Sequence, residues 1–210
     1  MKKYRNLELL FTAYSQKRSA IRRRLREYRR VPESKYFYEL IYCLMTPQSS
    51  AVNAAKAQQS FEAADFFHAA VDPEPLLFQP GYYIRFHRTK AKRILEMREN
   101  YPAILAITTS ALSAVAKREW LVKNVKGLSY KEATHFLRNI GKNDGLTILD
   151  RHILKNLKYF GVIRMIPQTL TMRRYHQIEK RFLRFADEIG ITVDELDLLF
   201  WSSETGEILK

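Results

Sequence analysis

Apolar residues recur at helical spacing in nearly every segment of this chain. Alternating runs of Val, Ile or Thr long enough for a β-strand are missing, and Pro or Gly stands between many of the helical segments. A period of 3.6 residues is typical of an amphipathic helix, whereas a period of two is typical of a half-buried strand. The pattern therefore predicts an all-α protein of about ten helices.

Helix-breaking and helix-capping residues set the predicted boundaries. The expected helices are Leu7–Arg30, Ser34–Met45, Ser50–Ala64, Thr89–Asn100, Ser110–Ala116, Arg118–Val125, Tyr130–Ile140, Asp150–Phe160, Thr171–Ile189 and Thr192–Trp201. Residues 71–83 contain three prolines and a glycine, which predicts an irregular connection. Repeats, low-complexity linkers and a clear domain boundary are not visible, so we expect residues 1–210 to form a single domain.

Composition and charge narrow the class of partner. Hydrophobic residues make up 46% of the 210 residues, which predicts a folded globular chain. The net charge of +14 costs self-repulsion and therefore predicts a polyanionic partner, either nucleic acid or an anionic membrane. No apolar run approaches the roughly 20 residues of a membrane span, and the N-terminus is typical of an amphipathic helix rather than a signal peptide. We therefore expect a cytoplasmic protein.

The residue types that bind metals are sparse or poorly spaced. Cys43 is the only cysteine and lies in an apolar segment, so we expect a buried, inert thiol. A single cysteine excludes an intramolecular disulfide and any metal or iron–sulfur site built from four cysteines of this chain. The histidines show no metal-ligand spacing, and His135 and His152 are interpreted first as helix or packing residues. The sequence predicts no metal site.

Basic residues form two clusters. The first lies on the first predicted helix and comprises Lys17, Arg18, Arg22, Arg23, Arg24, Arg26, Arg29 and Arg30. It is either a solvated face whose Arg stems cover apolar surface or a strip that contacts the DNA backbone. The second comprises Arg85, His87, Arg88, Lys90, Lys92 and Arg93. It enters a helix N-terminus, where the helix dipole disfavours cations, so a bound anion is expected there, with Arg85 and Arg88 as candidate DNA contacts.

The segment VKGLSYKEATHFLRNIG, residues 125–141, joins two predicted helices through a short turn that contains Gly127. Backbone N–H groups at the start of the second helix, together with the helix dipole, suit a phosphate. Such contacts read no base, so binding through them is independent of sequence. A glycine turn between two helices also occurs as plain packing, and the spacing by itself leaves both interpretations open.

Two residues near this turn have the chemistry of a catalytic pair. Lys131 lies in the first turn of the second helix, where the dipole favours a free amine that could form a Schiff base; a solvated surface lysine is the alternative. Asp150 precedes the helix RHILKNL and is predicted to cap it. A carboxylate fixed in that place can also stabilise a cationic sugar transition state, as in glycoside cleavage.

A helix–hairpin–helix followed by an apolar stretch and an Asp resembles the helix–hairpin–helix DNA glycosylases, the superfamily that includes endonuclease III. Within it, VKGLSYKEATHFLRN and ILDRHIL are similar to the archaeal-type 8-oxoguanine DNA glycosylase/AP lyases. LMTPQSSAVNAAKA, IRFHRTKAKRI and WSSETGEILK are further matches, so the resemblance extends from about Tyr38 to Lys210. It implies two helical subdomains with the active site in the cleft between them, and a hairpin motif at about residues 118–140.

The resemblance implies roles for four residues in the chemistry. Lys131 matches the catalytic lysine, which attacks the sugar C1′, and Asp150 matches the catalytic aspartate. Trp201 matches an aromatic residue of the base pocket. Lys210 matches the terminal lysine that helps to recognise 8-oxoguanine.

The resemblance also implies how DNA is held. Gly127, Leu128 and Ser129 match the hairpin that grips the DNA backbone, and Gln48 matches a loop residue that fills the hole left by a flipped base. Ser129 stands where the hairpin pattern usually has a second glycine, so its hydroxyl either weakens the grip or contacts a phosphate. The resemblance allows a monovalent cation at the hairpin, and the chemistry requires no other cofactor.

The function implied is excision of 8-oxoguanine from duplex DNA followed by strand cleavage through β-elimination, carried out by a monomer. The resemblance also implies a nucleoid-associated protein of a prokaryote. Three alternatives remain at the level of sequence. The first is a related glycosylase that prefers another lesion, such as an oxidised pyrimidine or a mismatched adenine. The second is a non-catalytic basic helical protein that binds DNA structure. The third, a helical protein that binds anionic membranes, is disfavoured because the sequence shows no membrane-facing apolar surface.

Overall fold

The computed structural model describes residues 4–206, and within that range it contains ten α-helices. They are α1 Leu7–Tyr28, α2 Tyr36–Met45, α3 Ala51–Ala63, α4 His87–Glu99, α5 Tyr101–Thr109, α6 Ala114–Asn124, α7 Tyr130–Asn139, α8 Arg151–Tyr159, α9 Met172–Ile189 and α10 Val193–Thr205. The predicted all-α class is confirmed. Short 3-10 turns at Glu33–Lys35 and Pro75–Leu77 complete the helical structure of the described residues.

The predicted boundary between the fifth and sixth helices is wrong. The structure has a helix at Tyr101–Thr109, whereas the expected helix at Ser110–Ala116 is interrupted. The Ser113 Oγ accepts a hydrogen bond from the Ala116 N–H at 3.2 Å and so caps α6, since serine stabilises a helix start better than a helix interior. Pro102 stands in the first turn of α5, where a missing N–H costs nothing.

Two further segments differ from the sequence-based expectation. Residues 71–83 are not wholly irregular, because β1 Phe78–Gln79 pairs antiparallel with β2 Tyr82–Tyr83. Gly81 closes this hairpin with a φ of 93°, a conformation that glycine adopts without strain. Helix α10 continues beyond Trp201 to Thr205, so part of the predicted tail is helical.

The described residues pack into two compact helical units. The central unit is Val31–Lys142, and the terminal unit consists of residues 4–30 together with residues 143–206. The chain therefore leaves the terminal unit after α1, builds α2 to α7, and returns to add α8 to α10. The presence of two helical units agrees with the subdomains that the family resemblance implies.

Helices α2 and α7 form the interior of the central unit. Every residue of α2 is buried, and α7 is buried from residue 132 to residue 139. The carboxylate of Glu39 on α2 accepts hydrogen bonds from Asn139 Nδ2 at 3.1 Å and from Gln58 Nε2 at 3.2 Å. Because a buried carboxylate is costly without partners, these bonds fix α2, α3 and α7 to one another.

Aromatic stacking fills the core of the terminal unit. Phe200 on α10 stacks on Phe160 at 5.4 Å and on Phe182 at 6.1 Å between ring centroids. Such ring pairs add roughly 0.5–1.5 kcal/mol each beyond the burial of their surface. They connect α9 and α10 to the end of α8.

Part of the first basic cluster holds α1 against α10. Arg22 Nε lies 2.7 Å from Glu195 Oε1, and Lys17 Nζ donates to Ser202 Oγ at 3.0 Å. These two side chains therefore join two helices of the terminal unit, a role that neither interpretation of the cluster included. Other members are exposed: Arg23, Arg26, Arg29 and Arg30. Among the described residues, no helix combines the length and apolarity needed to cross a bilayer.

Candidate active site

The predicted hairpin consists of α6, a turn at residues 125–129 and α7. The Leu128 N–H donates to the Val125 carbonyl at 3.2 Å, and Gly127 adopts a φ of +99°. This φ favours glycine, and a Cβ on Gly127 would lie 2.9 Å from Arg93 Cδ, so the Arg93 side chain would also have to move. Leu128 is only 6% exposed, which leaves its backbone rather than its side chain for contact with a ligand.

Glu132 organises the start of α7. Its Oε2 accepts from the Ser129 N–H at 3.2 Å, and its own N–H donates to the Ser129 side chain, which makes the capping box Ser129-x-x-Glu132. The same Oε2 also accepts from the Ser129 hydroxyl. The hydroxyl hydrogen of Ser129 is therefore directed at Glu132. A phosphate at the hairpin would meet the backbone N–H groups of the first turn of α7.

Lys131 lies in this first turn with its side chain 20% exposed. Its Nζ donates to Thr46 Oγ1 at 3.3 Å and lies 3.5 Å from Glu132 Oε1. The Thr46 hydroxyl in turn donates to the Cys43 carbonyl at 2.9 Å, so it presents a lone pair to the amine. The amine is thus held by one neutral acceptor and one carboxylate, and it remains accessible.

The turn after α2 carries both Thr46 and Gln48. Gln48 is exposed and adopts a φ of 57°, in the left-handed region that is unusual for a residue other than glycine. Strain of this kind costs on the order of 1–3 kcal/mol and persists only where neighbouring groups impose it. The Ser49 hydroxyl accepts from the Arg85 N–H at 3.1 Å, which connects this turn to the segment before α4.

The candidate DNA contacts Arg85 and Arg88 lie at the start of α4. The Arg85 guanidinium stands 5.2 Å from the ring centroid of Phe86, itself exposed with a φ of 60°. Arg88 is exposed and its Nε lies 3.3 Å from Glu74 Oε1. The second basic cluster was expected to bind an anion as a group, but Lys90 departs from this because it is buried and donates to backbone carbonyls.

The terminal unit brings Asp150 and Trp201 together. Asp150 Oδ1 accepts from the Ile153 N–H at 2.8 Å, so the predicted cap of α8 is confirmed. Its Oδ2 accepts from Trp201 Nε1, also at 2.8 Å. Each oxygen keeps a second lone pair, and the side chain is half-exposed. The indole of Trp201 lies beside His152, with ring centroids 5.1 Å apart.

Two further sequence-based expectations bear on ligands. Lys210 lies outside the described residues. Buried Cys43 and the packing of His135 against the Tyr42 ring, at 5.6 Å between centroids, agree with their predicted structural roles. Within residues 4–206, no group of three or more His, Cys, Asp or Glu side chains is arranged to hold a metal ion.

The roles of three residues at the site were not predicted from the sequence. Glu132 had a readable signal, since Ser-x-x-Glu before an apolar run marks a capping box. Thr46 had none, because its contact with Lys131 joins positions 85 residues apart. Lys90 was grouped with its exposed basic neighbours, although the structure leaves it only 4% exposed.

The central unit contains two helices joined by a glycine turn, with a lysine at the start of the second helix, and the terminal unit contains an Asp that caps the next helix. Together with the helical fold, these features define a helix–hairpin–helix DNA glycosylase architecture. Comparison with known proteins identifies the family within this class.

A family model described as 8-oxoguanine DNA glycosylase matches residues 21–191. The 8-oxoguanine DNA glycosylase/AP lyase of Fusobacterium nucleatum is 38% identical to this chain, in an alignment that covers 100% of both chains. The 8-oxoguanine DNA glycosylase/AP lyase of Korarchaeum cryptofilum is 39% identical to it, in an alignment that covers 93% of each chain. The Methanocaldococcus jannaschii 8-oxoguanine glycosylase/lyase, crystallised with a 15mer DNA containing 8-oxoguanine, is 32% identical. Its TM-score is 0.83 over 96% of this chain and 100% of that one. The chain belongs to the 8-oxoguanine DNA glycosylase family.

Proposed function

We propose that this protein excises 8-oxoguanine from duplex DNA and then cleaves the strand at the resulting abasic site. The observation that carries the proposal is the placement of Lys131, whose accessible amine stands at the start of α7 directly after the glycine hairpin. An amine nucleophile that bonds to the sugar supports a glycosylase that also cleaves the strand as a lyase. A glycosylase that uses water as the nucleophile would not need this amine. The names of the relatives support the same activity.

Lys131 acts as the nucleophile in this proposal. Its amine nitrogen bonds to the sugar C1′ as the C1′–N9 bond breaks, and the base leaves with the bonding electrons. Loss of the amine protons and opening of the sugar give a Schiff base, which acidifies the C2′ hydrogens. A base removes one of these protons, the C3′–O bond breaks, and the phosphate leaves. Asp150 stabilises the positive charge that develops on the sugar in the first step.

The DNA is held largely through its backbone. The hairpin around Gly127 and Ser129 presents the backbone N–H groups of the first turn of α7 to a phosphate, while Arg85 and Arg88 supply positive charge. Gln48, exposed on the strained turn after α2, fills the space left when the base is flipped out, a step that costs roughly a few kcal/mol. The net charge of +14 adds affinity that is independent of sequence.

Recognition of the lesion belongs to the base pocket. The indole of Trp201, anchored by Asp150, offers a ring face on which an oxidised purine can stack. Lys210, by its match to the family's terminal lysine, completes recognition of 8-oxoguanine. A hydrogen-bond acceptor for the N7–H of 8-oxoguanine distinguishes the lesion from guanine, because guanine has no N7–H and would leave that acceptor unpaired.

The chemistry needs neither a redox cofactor nor a catalytic metal. A monovalent cation at the hairpin would be held by backbone carbonyls of residues 125–128, which suit a hard cation that prefers oxygen. We further propose that the protein acts as a monomer on the chromosomal DNA of a prokaryotic cytoplasm.

Borohydride trapping tests the proposal directly. Reduction of the Schiff base should give a covalent protein–DNA adduct on a duplex with one 8-oxoguanine, and none on the undamaged duplex. Lys131→Gln should abolish the adduct, base release and nicking while it retains DNA binding. Lys123→Gln is the matched control, because Lys123 is an exposed lysine on α6 of the same unit.

Each contrary outcome is informative. An adduct that persists in Lys131→Gln would assign the nucleophile to another amine. Base release from duplexes with oxidised pyrimidines or mismatched adenine, but not 8-oxoguanine, would show a related glycosylase with another preference. Binding that depends on salt without adduct, nick or free base would leave a DNA-structure-binding protein.

A further inference from the structure

Lys90 on α4 is a buried lysine with two specific partners. The residue is 4% exposed, and its Nζ donates to the Met45 carbonyl and the Pro47 carbonyl, each at 2.8 Å. These are short, charge-assisted hydrogen bonds. The carbonyl of Met45 closes α2, where the negative end of the helix dipole favours a cation.

Placing an ammonium there is costly. Burial lowers the pKa of Lys90 to about 8, and the nearby charges of Arg93 and Lys131 act in the same direction, against the carboxylate of Glu132. An apolar side chain of similar length would avoid this desolvation. The lysine is therefore better explained by what its two hydrogen bonds hold in place than by packing.

The two carbonyls lie on either side of Thr46. Lys90 thus holds the backbone on both sides of the residue whose hydroxyl contacts the Lys131 amine at 3.3 Å. The hydroxyl hydrogen is already donated to the Cys43 carbonyl, so the orientation of Thr46 presents an acceptor to Lys131. The Pro47 carbonyl also precedes Gln48, whose left-handed backbone needs such a restraint.

We propose that Lys90 is a positioning residue for the nucleophile: by clamping the turn on both sides of Thr46, it places the hydroxyl that orients the Lys131 amine. This inference rests on the proposed function, since it assigns a role in the lyase reaction of Lys131. Lys90 itself does not touch the substrate in this scheme. Its effect is on the geometry of attack, where a displacement of about 1 Å can cost 10²-fold in rate.

The test is single-turnover borohydride trapping on a duplex with a preformed abasic site, measured over a range of enzyme concentrations. Lys90→Met removes both hydrogen bonds and the charge while it keeps the length of the side chain. We expect its maximal trapping rate to fall about 10- to 100-fold. The enzyme concentration at half-maximal rate should change less than about threefold, because the hairpin that binds DNA is intact.

Lys56→Met is the matched control. Lys56 also donates to a backbone carbonyl, that of Gly81 at 3.2 Å, but it is exposed and lies outside the site. We expect its trapping rate to equal that of the wild type. A general effect of removing a lysine–carbonyl bond would instead slow both variants alike.

Variants of Thr46 separate a positioning role of Lys90 from a purely structural one, because only a positioning role makes the trapping rate depend on the Thr46 hydroxyl. Thr46→Val should slow trapping about as much as Lys90→Met, whereas Thr46→Ser, which keeps the hydroxyl, should restore most of the rate. If Lys90 acts through Thr46, the double variant Lys90→Met/Thr46→Val is no slower than the slower single variant. Multiplied effects in the double variant would overturn the proposal, as would a wild-type rate for Lys90→Met.

Circular dichroism at the assay temperature establishes that each variant is folded. If Lys90→Met is unfolded, Lys90→Gln replaces it. The comparison of Thr46→Val with Thr46→Ser retains Lys90, so it tests the role of the Thr46 hydroxyl without that variant. Equal rates for those two variants would overturn the proposal. Absence of trapping by the wild-type protein would instead refute the proposed function, so the two failures are distinguishable.

Discussion

Asp150 combines a structural and a proposed chemical role that one substitution can separate. In Asp150→Asn, an amide oxygen can still accept from the Ile153 N–H, which lies 2.8 Å from Asp150 Oδ1, and Asn caps helices about as well as Asp. The amide NH₂ then faces Trp201 Nε1, which donates to Asp150 Oδ2 at 2.8 Å in the wild type. The substitution therefore preserves the cap but removes the negative charge and one hydrogen bond.

The two roles predict effects of different size. Loss of the charge-assisted bond from Trp201 should lower the free energy of unfolding by about 1.5 to 3 kcal/mol. For a chain of this length, that corresponds to a decrease in Tm of about 3 to 12 °C. Loss of a fixed charge opposite the developing cation should slow base release about 10²- to 10³-fold, or about 3 to 4 kcal/mol of activation free energy.

The assay is single-turnover release of 8-oxoguanine at a temperature where circular dichroism shows every variant folded. Thr171→Ala is the control, because Thr171 caps α9 of the same unit by accepting from the Arg174 N–H at 3.4 Å. It should lose about 1 kcal/mol of stability and keep the wild-type rate. If folded Asp150→Asn kept more than about a tenth of the wild-type rate, Asp150 would be a helix cap and not a catalytic group.

Three other expectations concern the hairpin, Lys90 and Lys210. Gly127→Ala should lower the free energy of unfolding by about 1–3 kcal/mol and weaken binding of duplex DNA, because the φ of Gly127 is +99° and a Cβ would lie 2.9 Å from Arg93 Cδ. An unchanged midpoint of urea unfolding would contradict this. Burial lowers the pKa of Lys90 from 10.5 to about 8, so the cost of its charge in the folded state fades as pH rises from about 8 towards 10.5. The unfolding free energy of the wild type relative to Lys90→Met should therefore rise by about 3 kcal/mol over that window, and a constant difference refutes this. Deleting Lys210 should lower the ratio of the excision rates for 8-oxoguanine and guanine more than it lowers the affinity for undamaged duplex. An unchanged ratio would show that Lys210 takes no part in recognition of the lesion.

The helices were predictable where local signals agreed. Ser50 and Thr171 each precede an amphipathic run, and each caps the helix that the sequence predicts. The segment from residue 101 to 116 was divided wrongly because serine fits both a helix start and a solvated helix position. Which of its serines would act as the cap depends on tertiary packing that a local pattern does not contain.

The site was predictable only in its local parts. The family resemblance predicts Lys131 and Asp150 as site residues, and the position of Asp150 before RHILKNL also predicted the cap. The partners of these two residues lie far away along the chain: Thr46 is 85 positions from Lys131, and Trp201 is 51 positions from Asp150. Contacts of that range arise from packing between helices, and a periodic pattern of apolar residues fixes only which face of each helix is buried.

The burial of α7 has a consequence for how the protein loses activity on heating. Residues 132–139 are buried, so their amide hydrogens should exchange with solvent only through opening of much of the central unit. Lys131 begins this same helix rather than a surface loop. The backbone that carries its amine therefore stays in place while the helix persists, and heat should inactivate the enzyme at the temperature where the central unit unfolds, without an earlier phase of local melting.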